Sequence, residues 1–164
     1  MLDHIKSILT GQFEAALCML NDCIELCPQQ HWDGVIAKYP FWQVAYHTLC
    51  FADLYLSPGE QAFELSPILH GWNELNDEYP SRRFEKPELA LYVAHCRRKM
   101  LRTIAGEAQQ SLEGPSGFPR LPFARSELYI YTLRHVQHHT GQLGAFLRRL
   151  NVSLDPRWVK SGWR

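Results

Sequence analysis

Leu133-Arg134-His135-Val136-Gln137-His138-His139-Thr140-Gly141-Gln142-Leu143 reads as the middle of one long helix covering about residues 126–150, with Ser126 as its N-cap. Four residues of helix turn about 400° and rise ~6 Å, so the imidazoles of His135 and His139 share a face one turn apart. With His135 at the centre of that face, Leu128, Tyr131, His139, Gln142, Leu143 and Phe146 fall on the same stripe, and Arg134, Gly141, Gly144 and Arg148 fall opposite. His138 sits at the edge. The stripe is apolar enough to face a core, so the pair points two neutral imidazoles inward at one place. A metal ion there needs a third ligand from elsewhere in the chain.

The helix predicted over residues 40–56 supplies one. Gln43, Val44, Cys50, Phe51 and Leu54 share the side of His47, whereas Asp53 points well away from it. A lone histidine on an apolar face is more often a hydrogen-bonded core residue than a ligand. Three such imidazoles on two helices are harder to satisfy in a core, and one divalent ion satisfies all three. His47, His135 and His139 therefore read as a single three-histidine site. Such a set leaves a coordination position open, which marks catalytic sites more than structural ones. Imidazole-only ligation suits zinc, nickel, copper or iron(II). Val136 stands where a zincin helix carries its glutamate, so the peptidase reading is excluded. No Glu is followed three residues later by His, which excludes a di-iron carboxylate bundle.

Apolar residues at helical spacing also mark helices over about residues 2–27 and 86–112, with Pro28 ending the first and Pro87 in the first turn of the other. In the first, the periodic residues run from Ile5, Ile8, Leu9 and Phe13 to Ile24. No strand is predicted. Connectors between the first and second and the third and fourth helices are short. The one over residues 57–86 is long enough to run the height of a bundle, which allows the second and third helices to lie parallel, and a short helix is expected within residues 60–76. The expectation is an all-α, single-domain four-helix bundle with one long crossover. At 164 residues, 46% hydrophobic and 21% charged, the chain suits one globular domain. A net charge of zero argues against nucleic acid as a partner. No stretch is apolar enough to span a membrane and the N-terminus lacks the pattern of a signal peptide. Five cysteines without a C-x-x-C read as reduced thiols in a cytoplasm.

The final-helix pattern, His135-x-x-x-His139 followed by Thr140-Gly141-Gln142-Leu143, resembles that of the DinB-like (DinB/YfiT) superfamily. Tyr46-His47-Thr48-Leu49, with Phe41-Trp42 just before it, resembles the first-ligand helix of the same group. The resemblance runs from the first helix to Leu150. It implies a bundle with parallel second and third helices, a metal held by His47, His135 and His139, and a homodimer. It also implies chemistry of the kind seen in relatives that are S-transferases or isomerases using bacillithiol, mycothiol or glutathione. Residues 57–85 and the tail from Asn151 carry no motif of the group.

Five further residues are candidates for holding a ligand histidine or a bound molecule in place: Tyr131, Gln142, His138, Gln43 and Cys50. Cys50, one turn after His47, reads first as a small buried core residue; packing is also favoured for Cys23 and Cys27. His70 and Glu74 have ligand-compatible spacing but read as a surface turn beside Pro67 and Gly71. His95 reads as a structural or solvent-edge histidine, with a general acid/base role left open. Arg97, Arg98, Lys99 and Arg102 read as a solvated face. Two functions fit. The first is a metal-dependent enzyme acting on a small-molecule substrate, activating a water or a low-molecular-weight thiol as a transferase or hydrolase. The second is a dimeric bundle whose metal serves stability, sensing or interaction.

Overall fold

The computed structural model describes residues 1–64, 82–150 and 158–164, and among these the chain is all-α apart from a small hairpin. Helix α1 spans Leu2–Leu26, α2 Phe41–Tyr55, α3 Lys86–Gly106, α4 Gln109–Glu113 and α5 Arg125–Arg149. Strands β1 (Val35–Ile36) and β2 (Tyr39–Pro40) pair antiparallel, Val35 opposite Pro40 and Ile36 opposite Tyr39. No described helix is long and apolar enough to cross a membrane.

Each boundary has a local cause. Cys27 is extended before Pro28, as the residue before a proline prefers, and α1 stops there. Lys86 Nζ reaches the Glu25 and Cys27 carbonyls and satisfies the end of that helix. Helix α2 has no side-chain cap; its first amides, Phe41 and Trp42, donate to the carbonyls of Gly34 (2.9 Å) and Trp32 (3.3 Å). Helix α3 opens with the Glu88 carboxylate accepting from the Glu85 amide at 2.9 Å, and Pro87 sits in its first turn.

Side-chain pairings give the helix directions. Between α2 and α3, Tyr46 meets Tyr92, Asp53 meets His95 and Lys99, and Leu56 accepts from Thr103, so the numbers rise together and the helices run parallel. Between α2 and α5, Phe41 meets Phe146, Phe51 meets His135 and Tyr55 meets Tyr131, so these run antiparallel. Helix α1 lies along both α3 (Glu14 to Arg97) and α5 (Phe13 to Tyr129). The main core lies among α1, α2, α3 and α5 around Leu20, Tyr46, Leu49, Tyr92, Leu143 and Leu147. The tail returns to this core: Gly162 donates to the Gly11 carbonyl at 2.8 Å, and Arg97 covers the Trp163 ring at 4.7 Å.

Several expectations need correction. The third helix ends at Gly106 rather than near 112; Glu107 and Ala108 are extended, and α4 is a separate turn of helix. Glu107 is drawn instead to Arg125 (3.1 Å), Tyr129 and Ser111. Helix α5 starts at Arg125 with Ala124 at its cap, so Ser126 lies inside the helix. Helix α2 starts at Phe41, with Pro40 at its cap, rather than at residue 40. Ile5 and Ile8 are exposed, because the core face of α1 begins at Leu9. Gly144 is buried: the true core row of α5 is Val136, Thr140, Leu143 and Leu147, and the two histidines flank that row as half-buried residues. The connector after α2 carries a short 3-10 turn at Glu60–Ala62, whereas His70 and Glu74 lie outside the described residues.

Candidate metal centre

His47 is presented by α2, and His135 and His139 by α5. Each offers one ring nitrogen, and the three nitrogens lie within 4.8 Å of one another. His47 Nε2 and His135 Nε2 are 3.2 Å apart. A tetrahedral ion with metal–nitrogen bonds of about 2.0–2.1 Å holds its ligand atoms about 3.3–3.4 Å apart, so this pair already has ligand spacing. The ring centroids form a closed triangle of 5.2 Å (His47–His135), 4.8 Å (His47–His139) and 4.6 Å (His135–His139).

Electrostatics keep the two α5 rings ready to ligate. Desolvation, then repulsion from the neighbouring imidazoles, pushes His135 down to about 3. Burial likewise pushes His139 down to about 4, against a smaller opposing effect of its bond to Gln142. Both are therefore neutral at ordinary pH, the form that binds metal. His135 turns Nε2 toward His47, while its Nδ1 is buried with no hydrogen-bond partner among the described residues. A three-imidazole donor set with this Nε2 spacing fits a borderline divalent ion.

Gln142 decides which nitrogen of His139 is available. Its Oε1 accepts from His139 Nδ1 at 2.8 Å, which places the proton on Nδ1 and leaves the Nε2 lone pair free. Its amide nitrogen donates to His138 Nε2 at 3.3 Å. His138 itself is exposed and stands outside the triad, its ring centroid 4.9 Å from that of His139.

The other candidates separate. Tyr131 lies one turn before His135 and packs on Tyr55 and Phe123. Gln43 is buried one turn before His47. Cys50 is fully buried and packs in the main core with Tyr92 and Cys96 of α3, rather than sharing the metal face. The reason is angular: the residue four after His47 is Phe51, which does stack beside it at 4.7 Å, whereas the third residue turns back into the core.

Asp53 turns the same way. Fully buried, it accepts from Tyr92 Oη (3.0 Å) and Lys99 Nζ (2.6 Å), with His95 Nε2 at 3.3 Å. Burial alone would raise its pKa, but the hydrogen bonds from His95 and Lys99 hold it below the usual carboxylate value. Lys99 is thus not part of a solvated face, and His95 serves this network rather than the triad. Arg97 likewise pairs with Glu14 at 2.6 Å.

Beside the triad a cleft of about 410 Å³ is lined by Tyr131, Arg134, His135, Gln137 and His138. It contains a cation and no carboxylate, which suits an anionic or polarisable ligand. Two neighbours the sequence reading passed over as site residues are Phe51 and Tyr55. The signal was present, since they follow His47 at four-residue steps.

Comparison with family models, with curated proteins and with solved structures finds no match for this chain.

Proposed function

We infer that this chain is a metal-dependent enzyme built as a DinB-like four-helix bundle, in which His47, His135 and His139 hold one divalent transition ion. The observation that carries the reading is the convergence of three imidazoles from two helices, with no fourth His, Cys, Asp or Glu joining them among the described residues. The parallel run of α2 and α3 supports the bundle type. Zinc, nickel and iron(II) all suit the donor set. When bound, such an ion supplies Lewis acidity that lowers the pKa of a water or thiol joining it.

The residues of this chain do the rest. Gln142 holds His139 in the ligating tautomer. The cleft beside His135 admits a small molecule, and Arg134 gives it the cation that an incoming thiolate needs. We take transfer to or from a low-molecular-weight thiol as the reaction class, acting as a homodimer in a cytoplasm.

Elemental analysis of the purified protein beside His139→Ala tests the site. We expect about one divalent ion per chain in the wild type and a loss of at least tenfold in affinity in the variant. Equal metal content in both would sink the assignment. Incubating the metal-loaded protein with thiols and electrophiles and following S-conjugation tests the reaction class, and size-exclusion chromatography tests the dimer.

A further inference from the structure

Every side chain of α2 is buried except His47, Phe51 and Tyr55. These three recur every fourth residue and form one row along the helix. Helix α5 answers with Tyr131, His135 and His139, also half-buried and also four apart. Because the helices run antiparallel, the rows meet in register, with imidazoles at one end of the seam and aromatic rings at the other.

Phe51 joins the two ends. Its ring centroid lies 4.7 Å from that of His47 and 5.6 Å from that of His135. Tyr55 follows at 5.7 Å from Phe51, and Tyr131 at 5.5 Å from Tyr55. Phe118 at 5.3 Å from Tyr55 and Phe123 at 5.7 Å from Tyr131 close the wall. Phe118 and Phe123 also line a second cleft of about 620 Å³, while Tyr131 lines the 410 Å³ cleft shared with His135. Open space therefore lies at both ends of the wall.

This cluster is separate from the main core. Half-buried rings on a helix that is otherwise wholly buried leave apolar surface whose burial is favourable. None of these wall residues is charged, so the wall offers no counter-charge to an ion. Tyr55 and Tyr131 meet edge to face, so the wall presents aromatic rings to a ligand.

We propose that the row Phe51–Tyr55–Tyr131, backed by Phe118 and Phe123, is a substrate subsite for an aromatic ring, placing the reacting group of an aryl-bearing substrate at the His47–His135–His139 triad. This rests on the triad holding a metal ion. The substrate class is then a neutral or anionic molecule with an aromatic body and a metal-directed head.

The test uses two probes with one chelating head, benzohydroxamate and acetohydroxamate, titrated into the full chain loaded with cobalt(II) and followed by the visible spectrum of the ion. We expect benzohydroxamate to bind about tenfold tighter, the gain from burying a phenyl ring. In Tyr131→Leu and Tyr55→Leu, which keep apolar bulk but remove a ring, that preference should fall below about threefold, with cobalt stoichiometry and acetohydroxamate affinity unchanged. Equal binding of the two probes by the cobalt-loaded wild type would overturn the subsite alone, as would a preference that survives in both variants. A folded wild type that takes up no cobalt overturns the metal reading and the subsite with it.

Discussion

Gln142 shows how one amide fixes the chemistry of a ligand. By accepting from His139 Nδ1 and donating toward His138, it leaves a single nitrogen of His139 with a lone pair. Gln142→Leu removes that acceptor at little change in bulk and should weaken metal binding about 10–100-fold, whereas Gln142→Glu keeps the acceptor and should retain most of the affinity. Competition with a chromophoric chelator measures both; equal loss in the two variants would mean that Gln142 only fills space. The triad was legible in the sequence because spacing of four on a helix is unambiguous. The exact core row was not. Thr132 and Thr140 on α5 are buried, their hydroxyls bonded back to the carbonyls of Leu128 and Val136 at 2.7 Å, so residues that look polar in the sequence hold core positions.

At the scale of elements, α2 is held from two sides. On one, Asp53 ties it to α3 through Lys99, His95 and Tyr92. Removing one partner leaves a buried charge unmet, so Asp53→Ala should cost about 3–5 kcal/mol in denaturant unfolding. It should leave metal stoichiometry untouched where the variant folds, since Asp53 faces away from His47. The hairpin offers a gain. Ala37 sits at φ 56°, a conformation costly for any residue with a Cβ. Ala37→Gly should therefore raise stability by roughly 0.5–1 kcal/mol, and an unchanged or lowered Tm would refute the strain. The positions of the long helices were readable from periodicity and prolines. The break at Gly106 was not, because what draws Glu107 out of the helix is Arg125, eighteen residues on. Nor did the charged run at 97–102 reveal that Lys99 serves a buried partner 46 residues away.

Over the whole molecule, stability depends on pH through the same imidazoles. His135 and His139 are held at about 3 and about 4 in the folded chain, whereas an unfolded histidine titrates near about 6.5. Below that pH the unfolded state takes up protons that the folded state refuses. The Tm of metal-free protein should therefore fall as pH drops from about 6.5 toward about 4, and His135→Leu should flatten the fall. Asp53 contributes separately: its pKa is lowered, so its stabilisation is present above about pH 3.8 and is lost only as pH falls further. A flat Tm between pH 6.5 and 4 in the metal-free wild type would contradict the buried neutral pair. The seam between α2 and α5 is pinned at both ends, by Phe41 against Phe146 and by the Arg125 guanidinium donating to the Ser57 carbonyl at 2.7 Å. A one-turn slip, about 5.4 Å along the axis, would dissolve the triad, and these pins forbid it. The jaws are thus set before any ion arrives. Uptake of the ion we propose would be a docking event rather than a folding event: far-UV circular dichroism should be the same with and without the ion, and the heat-capacity change of binding should be small.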